Sequence, residues 1–286
     1  MKFAFIAEHL RDYPVGVSCA VLEVSRAGYY AWRQRPASGR ARRREVLAAQ
    51  IQVAYRVNRG VYGSPRICRA LAAQGQKACE NTVAQVMRDL ELRAKSKRKF
   101  VPRTTESGHD QPVSRNVLDR QFACGVPNRK WVADITYIPT DEGWLYLAGV
   151  MDLGSRKIVG WSMAEHMRAE LVGDALSMAV AGRSPPAGLL HHSDRGVQYA
   201  CDDYRKLLTE AGMEPSMSQK GDCWDNAAME SFWSTLKTEL VHHEHYATRE
   251  QARASIFEYI EVFYNRQRLH SALGYQSPEA FEAGLN

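Results

Sequence analysis

The chain has 286 residues, 45% hydrophobic and 24% charged, which supplies enough apolar surface for a sizeable buried core. Its amino-terminal stretch MKFAFIAEHLRDYPVG breaks a short apolar run with Glu8, His9, Arg11 and Asp12, so it reads as neither signal peptide nor membrane span, and a cytoplasmic protein is expected. Six cysteines without a CxxC pair argue against a zinc ribbon and a disulfide framework.

Charge divides the chain. Residues 1–103 carry 21 Lys+Arg against 7 Asp+Glu, whereas residues 104–286 carry 17 against 25. A basic front joined to an acidic back suggests a polyanion binder fused to something that holds cations.

In chain order, PVGVSCAVLEVSRAGYYAWRQRP predicts two short helices around Val24-Ser25, with Ser25 capping the second and Pro36 ending it, a helix-turn-helix-like module over 1–38. A second helical module is expected over 39–94. Its first helix sets Val46, Ala49/Gln50 and Val53 at helical spacing behind Arg42, Arg43 and Arg44. Next, SPRICRALAAQG predicts a helix with Ser64 as N-cap, Pro65 in the first turn and Gly75 as stop. NTVAQVMRDLEL predicts another, capped by Asn81, with Val83, Val86/Met87 and Leu90 inward and Thr82, Gln85 and Arg88 outward. Such a pair suits a helix laid in the major groove, although helix pairs in proteins that bind no DNA share the pattern.

Residues 95–128 read as a linker. Between Arg93 and Arg103 six of eleven residues are basic, Lys97, Arg98 and Lys99 among them, so the segment is expected to run partly extended along DNA or to act as a spacer. From Trp131 the pattern turns to strands in WVADITYIPT, GWLYLAGVMDL and KIVGWSM, with turns at Asp141-Glu142-Gly143 and Gly154-Ser155. A helix over 169–181, a strand in GLLHHSD, a helix over 202–211, a strand near MEPSMS and a helix in DNAAMESFWSTLKTE follow. Three strands and then alternating helix and strand fit an α/β ribonuclease-H-like core with a mixed sheet, placed at 129–250. Residues 251–286 return to helix, with Ile256, Tyr259/Ile260 and Phe263 as its apolar stripe.

In such a fold an Asp of the first strand and another just after the fourth can meet a Glu of a later helix. Asp134, Asp194 and Glu230 occupy those places, and 35 residues separate the last two. Over nearly its whole length, in SRAGYYAW, YGSPRI, WVADITYI, HHSDRGVQY, DNAAMESFWSTLKTE and YNRQRLHSALGYQSP, the chain resembles the insertion-sequence-three family of transposases, second-reading-frame type, in the integrase-core superfamily. The resemblance implies that Asp134, Asp194 and Glu230 form a catalytic, metal-binding triad, since 35 residues is that family's spacing, and that Lys237 helps to hold the transposon end. It also implies transposition by copy-out and paste-in through a circular DNA intermediate, and an upstream-frame partner or frameshift fusion.

Chemistry points the same way. Cutting a phosphodiester and joining its 3′ end to new DNA need an activated oxygen nucleophile and a stabilised leaving oxygen, which two divalent ions about 3.5 to 4 Å apart provide. Mg²⁺ takes oxygen ligands, so Asp and Glu are the expected donors, two ions per site, with Mn²⁺ expected to substitute. Counted along a helix, Asn226, Ser234 and Lys237 share a face with Glu230, whereas Asp225 reads as the N-cap and Asp222 as a loop residue. Asp152, Asn226, His192, Arg268 and His270 are candidates for supporting the site, each with a plain packing or turn role as its alternative. Arg42–Arg44, Arg66, Thr82, Gln85, Arg88, Lys97, Arg98 and Lys99 are candidate DNA contacts. The expected partners are double-stranded DNA, both transposon terminal repeats and target, and a homodimer or larger assembly, because two ends must be handled. Two other functions fit parts of the pattern: a DNA-binding regulator with an inactive core, and a ribonuclease-H-type nuclease, which would have no need of the basic front.

Overall fold

Residues 1–36, 38–96, 113–122, 124–218 and 226–285 are described by the structure, a computed structural model. They form two compact units, Met1–Ala54 and Tyr55–Asn286. The break falls inside a helix, between the boundaries at 38 and 94 that composition suggests.

The first unit holds α1 (Lys2–His9), α2 (Val15–Val21), α3 (Arg26–Gln34) and most of α4 (Gly39–Val57). Its small core is Ile6, Cys19 and Tyr29, flanked by Phe3, Leu10 and Leu22. Ser25 caps α3, its Oγ accepting the Gly28 N–H at 2.9 Å. The helix stops two residues before Pro36, as expected where a proline disfavours helical backbone in the residue preceding it. On α4 the expected stripe is displaced: Val46 and Val53 are exposed, whereas Ile51 and Ala54 are buried. Apolar residues surround much of this helix, so spacing alone leaves two neighbouring stripes open and packing selects one.

In the second unit α5 (Ser64–Ala73) and α6 (Glu80–Asp89) pack through Ile67, Leu71, Val83, Val86 and Met87. Thr82, Gln85 and Arg88 lie exposed on the outer face. Both helices start earlier than their expected caps: Gly63 and Cys79 hold the N-cap positions, which leaves Ser64 and Asn81 inside the first turns. Gly75, at φ +78°, turns the chain out of α5.

The sheet runs β3-β2-β1-β4-β5, from β1 (Lys130–Thr140), β2 (Gly143–Asp152), β3 (Ile158–Ala164), β4 (Leu190–Ser193) and β5 (Glu214–Met217). β1–β2 and β2–β3 are antiparallel, β1–β4 and β4–β5 parallel. Side chains alternate along a strand, so Trp131 and Ala133 face a core with Leu171, Val172 and Leu176 of α7 (Ala169–Arg183) and Tyr204 and Leu208 of α9 (Asp202–Glu210), after a short α8 (Val197–Ala200). Gly160 admits α7 closely, since a Cβ there would lie 2.1 Å from the Ala175 carbonyl oxygen. The opposite face of β1 receives α10 (Ala227–Glu239), and α11 (Arg249–Glu258) runs into a π-helical turn, Tyr259–Tyr264, before α12 (Pro278–Ala283). The wider turn buries Tyr259, Ile260, Phe263 and Tyr264 together. This is the ribonuclease-H-like arrangement that the strand and helix order predicts.

Part of the expected linker is not a spacer. Leu118 is buried, and the Val117 and Leu118 N–H groups donate to Ser216 Oγ of β5 at 2.9 and 3.2 Å. One buried leucine and two backbone N–H donors dock this segment on the sheet edge, while Val117 stays exposed. Lys97, Arg98 and Lys99 lie outside the described residues, as do Asp222 and Asp225.

Candidate active site

β1 and β4 pair in parallel, Trp131 opposite His191 and Val132 opposite His192. Carried two residues on, the same register sets Asp134, midway along β1, level with Asp194, just past the carboxyl end of β4, on neighbouring strands that lie about 4.8 Å apart. Both acids are locked locally. Asp134 Oδ1 accepts the Ile135 N–H at 2.8 Å and Oδ2 accepts the Trp233 indole N–H at 3.0 Å. Asp194 Oδ1 accepts the Gly196 N–H at 2.8 Å as the chain turns into α8.

Trp233 reaches Asp134 because of a gap in β2. Gly149 pairs with Asp134 across β1–β2, and a Cβ there would lie 2.9 Å from Trp233 Cη2 and 3.2 Å from Met229 Cε. The missing side chain lets α10 lie against the sheet. Glu230 is exposed on that helix, one turn after Asn226.

The three carboxylates share one field. Enclosure by protein, then the negative charge of Asp194 and, more weakly, of Glu230, pushes Asp134 up to about 7 against the pull of its two N–H donors. The residue keeps some exposure, but its carboxyl group is surrounded. Partial burial also raises Glu230. Crowded, oxygen-only donors that resist ionisation next to one another fit a hard divalent cation, whose charge would relieve the repulsion. Among the described residues no three Asp, Glu, His or Cys side chains converge tightly enough to enclose one ion. Strand pairing levels the Asp134–Asp194 pair, whereas Glu230 stands just after residues 219–225, which lie outside the described set.

Other candidates divide. Lys237, two turns beyond Glu230, is half-buried with Nζ 4.7 Å from the Tyr137 ring centroid; burial lowers its pKa and the Asp134 charge opposes this. Asn226, and not Asp225, holds the N-cap position of α10. Its amide does not cap the helix, because Nδ2 donates to the Ala133 carbonyl at 3.0 Å and ties α10 to β1 beside Asp134. Arg42, Arg43 and Arg44 are exposed on α4, and Arg66 is half-buried against the Tyr62 ring.

Four suggested supports of the acids take up other positions. Asp152, fully buried, pairs with Trp131, three residues along β1 from Asp134; its carboxylate accepts N–H groups from Asn128, Gly154, Ser155 and the Trp131 indole, closing the β2–β3 turn. His192 bridges β4 to β5 through Ser216 Oγ at 2.9 Å and Ser218 Oγ at 3.1 Å. Arg268 is buried in a bidentate pair with Glu239, at 2.8 and 2.6 Å, and Glu239 also accepts the Tyr259 hydroxyl. His270 packs edge-on against Tyr264. The sequence did not mark Trp233, whose indole holds Asp134, as a residue of the site. Its place three residues after Glu230, almost one turn on, was the available signal.

Comparison with known proteins places the chain in a family. Residues 126–223 and 211–278 match integrase core domain models, and residues 41–100 match an HTH-like domain model. Transposase InsF for insertion sequence IS3A of Escherichia coli K12 is 45% identical over 284 residues, covering 99% of this chain and 98% of its own. An uncharacterized 31 kDa protein of insertion element IS600 from Shigella sonnei is 49% identical over 263 residues, covering 92% and 96%. The HTLV-2 integrase catalytic core domain, solved in complex with magnesium, is similar over 55% of this chain and 97% of its own, with 14% identity and a TM-score of 0.42. With near-full-length identity of this order, an HTH-like domain and an integrase core, the chain belongs to the insertion-sequence-three family of transposases.

Proposed function

We propose that this transposase cleaves the 3′ ends of its insertion sequence and transfers the strand by metal-dependent phosphoryl transfer, acting on DNA in the bacterial cytoplasm and nucleoid. The observation that supports this best is the levelling of Asp134 with Asp194 on adjacent parallel strands, with Glu230 close enough to raise the Asp134 pKa. Asp134, Asp194 and Glu230 would hold Mg²⁺, two ions per site, with Mn²⁺ as a substitute. When bound, the ions supply activation of the oxygen nucleophile and stabilisation of the leaving oxygen.

The chain's own residues do the positioning. The Trp233 indole and the Ile135 N–H orient Asp134, the Gly196 N–H orients Asp194, and Asn226 ties the start of α10 to β1. Lys237 presents a cation two turns along the same helix for the backbone of the transposon end. Arg42–Arg44 and the exposed Thr82, Gln85 and Arg88 bind the terminal repeats, with Lys97–Lys99 continuing the basic track. A dimer or larger assembly brings two ends together, an upstream-frame protein or frameshift fusion completes the active form, and the product of the first joining is a circle that is integrated later.

Glu230→Gln tests the triad. It removes a metal ligand and no phosphate contact, so cleavage and joining of labelled end DNA in Mg²⁺ disappear while end binding stays near wild type. Retained strand transfer by that variant removes Glu230 from the site. Tight end binding by wild type without any cleavage assigns the chain to DNA-binding regulation instead.

A further inference from the structure

Beside Glu230 on α10, on the flank that carries Ser231 and Thr235, lies a cavity of about 260 Å³. Arg66 of α5, Arg156 of the β2–β3 turn, and Arg268 and His270 after the π-helical turn line it with those two hydroxyl residues. Segments far apart in sequence thus bring three guanidinium groups to one hollow.

Its charges are not balanced from within. Arg268 is neutralised by Glu239. Arg66 and Arg156 have no ion pair with a carboxylate among the described residues; Arg66 has the Tyr62 ring at 5.7 Å. Burial and then the neighbouring Arg268 lower the Arg66 pKa, so the protein bears a cost for keeping these cations together. Arg156 is held at φ +60°, a left-handed conformation that a non-glycine residue adopts at a cost of about 1 kcal/mol or more. His270 is kept neutral by burial and by Arg268, Arg66 and Arg156, and its buried Nε2 has no hydrogen-bond partner. Buried cations and unsatisfied polar atoms are normally paired, so the group missing here is an anion. Guanidinium forks, two hydroxyls and an imidazole nitrogen offer donors from several directions, which suits the tetrahedral oxygens of a phosphate better than a planar carboxylate.

We propose that this hollow grips one backbone phosphate of the DNA strand that enters the active site, and so holds the strand against α10 beside Glu230. The inference rests on the function proposed above. It adds Arg156 as a positioning residue and assigns Arg66, already a candidate DNA contact, to the same phosphate.

The test uses the full chain, end DNA, and Arg156→Gln and Arg66→Gln, with denaturation midpoints to verify folding and Arg156→Lys as the charge-preserving variant. Each Gln variant is expected to bind end DNA on the order of tenfold more weakly and to lose about 0.9 from the slope of log affinity against log salt. Arg156→Lys should recover part of the affinity. In end DNA carrying single methylphosphonate substitutions, one position should weaken wild type and leave Arg156→Gln unaffected. Unchanged affinity and slope in folded Gln variants overturn the proposal, and do so alone if wild type still cleaves DNA. A phosphate-dependent thermal shift, at constant ionic strength, that Arg156→Gln abolishes while its DNA slope stays at the wild-type value assigns the hollow to free phosphate and also overturns it. If wild type never cleaves while the Gln variants lose both affinity and slope, the phosphate grip stands and the catalytic reading falls.

Discussion

Trp233→Phe isolates the bond that holds Asp134. Trp233 is 6% exposed, and its indole N–H lies 3.0 Å from Asp134 Oδ2. Phenylalanine keeps an aromatic ring against the sheet, deletes the donor and opens space at Gly149, where Trp233 Cη2 now lies 2.9 Å from the position a Cβ would take. A hydrogen bond to a charged acceptor contributes about 1.5 to 3 kcal/mol, and the ring atoms removed add roughly 1 kcal/mol. The folded state should therefore lose about 2 to 4 kcal/mol. Only the part of that bond which orients the carboxylate reaches the reaction, and at 1.4 kcal/mol per tenfold it predicts cleavage slower by about 10 to 100-fold. Single-turnover cleavage of labelled end DNA at saturating protein and Mg²⁺ reads the rate, with urea denaturation and end binding measured in parallel. If the midpoint falls while the cleavage rate stays within about twofold of wild type, the indole packs α10 and does not position Asp134.

Gly149→Ala forces a Cβ against Trp233 and Met229 and should destabilise by about 1 to 3 kcal/mol with slowed cleavage; a wild-type midpoint would show that α10 shifts freely. Glu239→Gln strands the Arg268 guanidinium in the interior, and urea titration should show a loss of about 3 to 5 kcal/mol, most of it recovered in Glu239→Leu/Arg268→Met. No recovery in the double variant would mean that the loss comes from something other than the uncompensated charge. His191 is buried against Tyr204 and depressed to about 3 from 6.5, first by burial and then by His192. Its neutral form belongs to the folded state, so stability is full above pH 6.5 and declines as pH falls toward 3. Between about pH 6 and about pH 4.5 wild type should lose roughly 2 kcal/mol more than His191→Gln; parallel curves would show that His191 does not titrate in this range.

Period and punctuation made the elements readable. WVADITYIPT and GWLYLAGVMDL carry strand-forming residues with a turn between them, Ser25 and Pro36 bracket α3, and the Val83, Val86 and Met87 stripe buries as its spacing requires. Cap positions were less readable at Ser64 and Asn81, because a capping residue also fits the first turn. On α10, Asn226 takes the cap position and yet turns its amide to Ala133, a partner 93 residues away.

What the sequence determined by itself was local and serial: strand and helix order, a basic front and an acidic back, and the distances along the chain among Asp134, Asp194 and Glu230. Only the tertiary structure decided which groups meet. Parallel pairing of β1 with β4 levels two of those acids, Gly149 lets Trp233 reach the first, and Asp152, His192 and Arg268 take partners that hold turns and layers together. Three arginines from separate segments line one hollow for the same reason. A side chain's pattern records its own period, whereas its partner depends on how distant segments pack.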